Sequence, residues 1–408
     1  MGNTARGRAL RIAQVAPLAE SVPPQLYGGT ERIVSWLTEE LVRQGHDVTL
    51  YASGDSVTAA RLVPVTPKAL RLEPEIIDPL PYAVLLLERV AQDAERYDVI
   101  HFHVDHVQHS FLRRSAVPGL TTMHGRMDIP DLVPLFREFS EAPLISISDA
   151  QREPLPWLNW LATIPHGMPM GEIEAFTEPG SYFAFLGRTS PEKGLEEAIE
   201  IAHRAELPLR IAAKVDAVDE IYFNARIRPL LDRHEVEFVG EINDLEKTAF
   251  LGHAAALLFP IDWPEPFGLV MIEAAARGTP VLAFRSGSVP EVIEDGVTGI
   301  VVDDVNEAID ALPRLAALSR AGVRAAIERR FGVDRMAQTY VDVYHRLIAE
   351  RAGHRLPAPA VPLGRTPRSP EPVPVPAMAI PPLPPSDRHE ADARSPAAST
   401  SASEGMAD

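Results

Sequence analysis

Trp263-Pro264-Glu265-Pro266-Phe267-Gly268-Leu269-Val270-Met271-Ile272-Glu273 follows the apolar run 255–259 and leads into Ala274-Ala275-Ala276-Arg277-Gly278-Thr279-Pro280. The stretch reads as strand, loop and helix. Pro260 stops the apolar run; residues 268–277 carry helix formers on every side, then Gly278 in the C′ position and Pro280 beyond. Glu265 therefore lies just before the helix and Glu273 about two turns inside it. A carboxylate among Leu269, Ile272 and three alanines is costly to bury without a partner. A vicinal diol is such a partner, since both hydroxyls can donate to one carboxylate. The helix start beside Phe267, Gly268 and Leu269 offers free N–H groups and a positive dipole end, which suit a phosphate or a sugar oxygen.

A capping glutamate and a solvated one would be the ordinary account of two glutamates at this spacing. The apolar, Ala-rich surroundings of Glu273 favour a site instead. The pattern resembles the Glu-x7-Glu signature of retaining glycosyltransferases of family 4, which have the GT-B fold. The resemblance implies that Glu265 lies by a donor sugar and that Glu273 holds the ribose of a nucleotide.

A chain of 408 residues suffices for two ordinary domains, and 46% hydrophobic residues can build sizeable cores. A net charge of −18 argues against a nucleic-acid partner, so any bound anion needs local basic residues. The absence of cysteine excludes disulfides and thiolate zinc sites and fits a reducing compartment. The start Met-Gly-Asn-Thr-Ala-Arg6 lacks the apolar region of a signal peptide and the Ser or Thr of a myristoylation motif. No apolar run approaches the length needed to cross a membrane. The expectation is a soluble, cytoplasmic protein.

The first half alternates strands and helices. A strand over 11–16, a helix over about 31–44 and a strand over 47–52 form a βαβ unit, which implies a parallel sheet with helices on both faces. Ile33, Leu37 and Leu41 fall at four-residue steps with Val34 and Val42 beside them, so one helix face packs on the sheet. Thr30 is placed to cap that helix. Gly28 and Gly29 sit where the first strand feeds it, the usual place for a turn that approaches a phosphate. A tight turn needing positive φ accounts for the pair as well. The spacing is not G-x-G-x-x-G, which disfavours a nicotinamide enzyme. The longer run from Tyr27 to Val34 resembles the family's glycine loop, which approaches the donor phosphate.

A strand over 98–102 brings His101, His103, His106 and His109 close in sequence. His101 and His103 share one face of it, and the other two lie beyond, so a metal site is not expected. Thr121-Thr122-Met123-His124-Gly125 closes another strand. A histidine there faces the crevice where doubly wound folds bind ligands, although a satisfied core histidine is the alternative. His124 resembles the family's histidine near the donor sugar. Strands over 144–148 and 161–164 complete the first sheet. His166, in Pro165-His166-Gly167, stands where family members often have Asn, and 167–180 reads as a linker.

The second half opens with a strand over 182–186, then Gly187-Arg188-Thr189-Ser190-Pro191-Glu192-Lys193-Gly194 and a helix over 195–205. Two cations between a strand end and a helix start can meet a diphosphate, Arg188 as a fork and Lys193 as a point charge. A solvated basic loop is the alternative; in an acidic chain, at the ligand edge of a sheet, phosphate is favoured. The run resembles the family's Gly-Arg…Lys-Gly element, whose Arg and Lys hold the donor pyrophosphate. Further strands fall at 209–213, 236–239, 281–284 and 300–302, with helices at 219–234 and 244–253. The loop 285–291 resembles a family segment that faces the nucleotide.

These readings give domains at 1–166 and 167–333, both Rossmann-like and facing across a cleft, a helix at 334–354 crossing back to the first, and a disordered Pro/Ala/Ser tail at 355–408. Met378 and Ile380 are apolar anchors within that tail. The resemblance implies a retaining hexosyltransferase that moves a sugar from UDP-glucose, or next from GDP-mannose, to an acceptor hydroxyl; the Tyr27–Ser56 region looks most like a subgroup that modifies small molecules such as antibiotics or pterins. His124, Glu265, Arg188 and Lys193 would be the catalytic residues, and Gly28, Gly29, Phe267, Gly268, Leu269 and Glu273 would complete the donor site. No Asp-x-Asp motif is present, so neither a metal nor a cofactor is expected. A phosphorylase or nucleotide-sugar epimerase on the same scaffold, and a non-catalytic nucleotide-binding module, are the alternatives.

Overall fold

A computed structural model describes residues 8–26, 28–178, 180–232 and 235–353. Tyr27 and the segment 355–408, with Met378 and Ile380, lie outside the described residues. Thirteen strands are described: β1 (Arg11–Val15), β2 (Asp47–Ser53), β3 (Arg61–Thr66), β4 (Val99–Phe102), β5 (Gly119–Thr122), β6 (Leu144–Ser146), β7 (Trp160–Thr163), β8 (Tyr182–Arg188), β9 (Leu209–Lys214), β10 (Val236–Gly240), β11 (Ala254–Phe259), β12 (Val281–Phe284) and β13 (Gly299–Val302). They form two parallel sheets, ordered β3-β2-β1-β4-β5-β6-β7 and β10-β9-β8-β11-β12-β13. In each sheet the order reverses beside its first strand, between β1 and β4 and between β8 and β11. Ligands of doubly wound folds bind outside the carboxyl ends at such a reversal.

The apolar stripe of the first helix explains its place. Ile33, Val34, Leu37 and Leu41 are all fully buried, each contributing roughly 2 kcal/mol of burial. That helix runs Gly29–Arg43 with Gly28 at its N-cap, so Thr30 lies inside its first turn and is not the cap. The 21-residue helix Val333–Gly353 packs against it and against Leu10, Ile12 and Val48, sharing their core through Tyr340, Tyr344 and Leu347. The chain thus passes between the sheets twice, and the passages pair: Met168 N–H donates to Phe331 O at 2.8 Å and Val333 N–H to Met168 O at 3.0 Å.

Two elements carry weak sequence signals. β3 contains Pro64, tolerated because β3 is an edge strand. The helix Leu80–Asp93 buries only Leu86 and Val90, so its stripe is narrow. The helix expected over 219–234 is broken: short 3₁₀ and α turns flank a π-helical segment Phe223–Ile227, and Pro229 removes a donor needed to continue it. Among the described residues no helix is long and apolar enough to cross a membrane.

Candidate active site

A cleft of about 580 Å³ is lined by loops that leave the carboxyl ends of strands in both sheets. β1 leads to Gly28 and Gly29, β5 to His124 and β7 to His166. β8 leads to Arg188 and Lys193, and β11 to Glu265, Phe267, Gly268 and Leu269. Glu273 follows one turn into the helix Leu269–Ala276. All ten residues singled out in the sequence border this one cleft.

Two glycines shape its second wall. Gly268 has φ +75° and caps the helix Leu269–Ala276, and an added Cβ would lie 2.6 Å from Met271 Cε. Gly194 has φ +69°, and a Cβ there would fall 1.9 Å from Pro260 O. Both let a helix begin at the cleft with its N–H groups forward. Gly29 closes the opposite wall, where a Cβ would sit 3.4 Å from Leu269 Cδ1 across the gap.

The cations are held by carboxylates. Lys193 Nζ donates to Glu265 Oε2 at 2.6 Å and stands 4.7 Å from the centre of the Trp263 ring, whose Nε1–H donates to the same Oε2 at 3.1 Å. Arg188 pairs with Glu192 at 2.9 Å and with Asp216 at 3.5 Å. Both side chains border the cleft, where a guanidinium fork and an ammonium point charge can meet a phosphate. Ser286 donates to Trp263 O, and Ser288 N–H to Glu265 O at 2.9 Å. The loop 285–291 therefore braces the Trp263–Glu265 segment from behind and does not line the cleft, contrary to the expectation that it faces a nucleotide.

Glu273 is buried, as its surroundings implied, but it already has a partner. Lys247 Nζ donates to Glu273 Oε1 at 2.8 Å and lies 3.3 Å from Asp244, which also pairs with Arg32 of the first sheet's helix. Burial works to raise the Glu273 pKa, yet Lys247 and Arg32 outweigh it and hold the carboxyl below its ordinary value. Its second oxygen remains available as a charged acceptor. Lys247 gave no signal in sequence, and Arg32, although inside the glycine-loop run, gave none of a link to Glu273, because they sit 26 and 241 residues from it.

Four histidines meet on the first wall. His124 Nε2 is 2.9 Å from His103 Nδ1, and His103 Nε2 is 2.8 Å from Gln14 Oε1. The ring of His124 stacks on His166 at 5.2 Å, and His166 meets Phe267 edge-on at 4.8 Å. His101 packs against His103 with ring centres 4.0 Å apart and the planes tilted by 39°. Burial pushes His124 down to about 3 and holds the other three well below the ordinary imidazole value. His124 is therefore neutral at pH 7, a hydrogen-bonding group and not a cation. His106 is exposed, and His109 packs against Phe136 and Phe139, so the four histidines near β4 do not converge. Among the described residues no group of three His, Asp or Glu side chains is placed to hold a metal ion.

The site can therefore accept from sugar hydroxyls at Glu265, Glu273 and His124 while offering cations and helix N-termini to an anion. The family model described as "Glycosyltransferase Family 4" matches residues 27–162, and that described as "Glycosyl transferases group 1" matches 172–319. The chain is 24% identical to O-antigen chain mannosyltransferase C of Escherichia coli over 81% of its length and 97% of that protein. It is 26% identical to glycogen synthase of Mycobacterium tuberculosis, covering 84% of this chain and 96% of that one. A glycosyltransferase involved in avilamycin A biosynthesis superposes with a TM-score of 0.64 at 26% identity, over 83% of this chain and 98% of that one. Sucrose-phosphate synthase from Thermosynechococcus elongatus, at 19% identity, shares the fold with a TM-score of 0.68 over 84% and 100% of the two chains. The chain is a glycosyltransferase of the GT-B fold, a hexosyltransferase by reaction class.

Proposed function

We propose that the enzyme transfers a hexose, with retention of anomeric configuration, from a nucleoside-diphosphate sugar to a hydroxyl of a small-molecule acceptor in the cytoplasm. UDP-glucose is the first donor to test. GDP-mannose is the second, in line with the mannosyltransferase among its relatives. Residues 1–166 form the acceptor-side domain, 167–333 the donor-side domain, and 334–354 the helix that returns to the first.

The observation that carries the proposal is the convergence of Arg188, Lys193, Glu265 and Glu273 on one cleft with two helix starts. Glu273 accepts the ribose hydroxyls, Glu265 orients the hexose, and Arg188 and Lys193 meet the diphosphate. Breaking the bond from C1 to the phosphate oxygen moves negative charge onto the departing phosphate. Lys193 and the N-terminus at Gly268 stabilise that charge in place. The acceptor oxygen bonds C1 on the face the phosphate leaves, and the acceptor proton passes to the phosphate. His124 is neutral and contributes a hydrogen bond to the sugar, not a charge. Closing the two walls keeps water from acting as acceptor.

Thermal unfolding with UDP, GDP, ADP or no nucleotide, at matched protein concentration, tests this reading. A nucleotide at about 100 times its dissociation constant stabilises by roughly 2.7 kcal/mol. A selective rise identifies the donor base; no rise with any nucleotide removes the proposal.

A further inference from the structure

His124 is wired to the last helix. Gln14 Nε2 donates to Tyr344 OH at 3.2 Å, Gln14 Oε1 faces His103 Nε2 at 2.8 Å, and His103 Nδ1 faces His124 Nε2 at 2.9 Å. Tyr344 OH also lies 2.7 Å from His101 Nδ1, and His101 Nε2 lies 2.7 Å from Thr122 Oγ1. All of these groups except His124 are essentially excluded from solvent. Every proton in the chain follows from the orientation of one amide. The 3.2 Å contact is ordinary for N–H···O and long for O–H···O, whereas the 2.7 Å contact suits a hydroxyl donor. Gln14 therefore gives its N–H to Tyr344, which gives its hydroxyl proton to His101. Oε1 of Gln14 can only accept, so His103 carries its proton on Nε2 and has a bare Nδ1. That bare nitrogen must receive Nε2–H of His124.

We infer that Gln14, His103 and Tyr344 are positioning residues that fix His124 as its Nε2–H tautomer, leaving Nδ1 as an acceptor for a donor-sugar hydroxyl. His124 Nδ1 is buried and has no hydrogen-bond partner among the described residues, and His124 borders the cleft. The stacked His166 ring, itself backed by Phe267, keeps the imidazole from turning. The sugar part of the inference rests on the proposed function; the tautomer does not.

The test is a long-range nitrogen–proton correlation spectrum of the full chain with ¹⁵N-labelled histidine at pH 7, His124 being assigned by its loss in His124→Asn. The expected spectrum shows a neutral His124 protonated at Nε2. Protonation at Nδ1, or an imidazolium, overturns the relay whether or not a nucleotide sugar is turned over. Gln14→Glu, whose carboxylate also only accepts, should keep the tautomer; a switched tautomer overturns the relay. Gln14→Leu should mix the tautomers and lower kcat by about tenfold, the worth of one hydrogen bond, with donor KM little changed. An unmixed tautomer in a folded Gln14→Leu also overturns it. If Gln14→Leu does not fold, the parent and Gln14→Glu spectra decide.

Discussion

Lys247 Nζ lies 2.8 Å from Glu273 Oε1, joining the helix Asp244–Gly252 to the helix Leu269–Ala276. A carboxylate in an apolar helix needs compensation, and Lys247 supplies it within the protein. Glu273 is thereby kept charged before any ligand arrives, with one oxygen spare. The pair makes Glu273 a preset acceptor, which a lone buried glutamate would not be.

Lys247→Met should expose this dependence. Removing the ammonium leaves burial as the dominant influence, so the Glu273 pKa rises. Folding stability should fall by about 3 kcal/mol, the low end for a broken buried pair, because Arg32 still acts on the carboxylate. Nucleotide affinity should then weaken more steeply with falling pH in the variant than in the parent, as the carboxyl takes up a proton and stops accepting. Calorimetric titration with the selected nucleotide at several pH values checks this. A flat profile in the variant would show that Lys247 does not control Glu273.

Lys193→Ala separates chemistry from folding. Lys193 is a loop cation, and its loss leaves Glu265 with the Trp263 Nε1–H donor. Turnover should drop on the order of 10²-fold, as for removal of one charge-stabilising donor, while stability falls by about 1 to 3 kcal/mol, because the pair is largely buried but Glu265 keeps the Trp263 donor. Steady-state kinetics beside a melting curve tests it. A large loss of stability with kcat intact would place Lys193 in the scaffold.

Much of this site was legible because its residues are grouped at strand ends. Gly28 and Gly29, Arg188 and Lys193, and Glu265 and Glu273 each fall within short strand–loop–helix runs whose hydrophobic periods are clear. The partners were not legible. Gln14 and Tyr344 are 330 residues apart, and Arg32 meets Asp244 across 212, so only the folded chain brings them together. The same limit hid the histidine cluster: β4 presents His101 and His103 to His124 and His166, while the nearer His106 and His109 go elsewhere. β3 and the helix Leu80–Asp93 escaped for a local reason, a proline in one and few buried positions in the other.

The buried histidines set a pH limit on stability. His101, His103, His124 and His166 all have folded pKa values lowered by burial. Below about pH 6.5 the unfolded chain binds protons that the folded one refuses, so stability is full above that pH and falls as pH drops. Between pH 6.5 and 5.5 each histidine contributes a loss of about 1 kcal/mol. Melting curves at pH 7.5 and 5.5 should therefore differ clearly. His101→Gln should make the pH dependence shallower even if it lowers stability overall. An unchanged pH dependence in that variant would contradict a neutral, buried His101.

Gly194→Ala should be severe despite its small size. The residue sits at φ +69°, which alone disfavours a side chain by about 1 kcal/mol. Its Cβ would also meet the carbonyl oxygen of Pro260, backbone that cannot swing aside. Both the Lys193 loop and the segment leading to Trp263 must then shift. The expected loss is about 2 to 4 kcal/mol in stability, with weaker nucleotide binding. Gly45→Ala has a similar positive φ but nothing within 4 Å of the added Cβ, and should lose only the conformational part. Equal melting temperatures for the two variants would rule out the Pro260 contact as the cause.

Glu291 tests how the two sheets are held. Its carboxylate accepts from Asp149 N–H at 2.8 Å and Ala150 N–H at 2.7 Å, capping the turn Ala150–Arg152 beyond β6, while its own carbonyl accepts from Arg330. The side chain thus ties a helix of the second sheet to a loop of the first. Glu291→Ala leaves two N–H groups to water and removes the tie, which should cost about 1 to 2 kcal/mol, as for a lost helix cap. The nucleotide contacts proposed for Arg188, Lys193 and Glu273 lie wholly on the second sheet's side, so nucleotide affinity should hold. Turnover needs His124 across the cleft and should fall several-fold. Glu291→Gln, which keeps an acceptor, should recover part of it. A parallel loss of affinity and turnover would instead mean that Glu291 supports the donor-side loops and not the joint between the sheets.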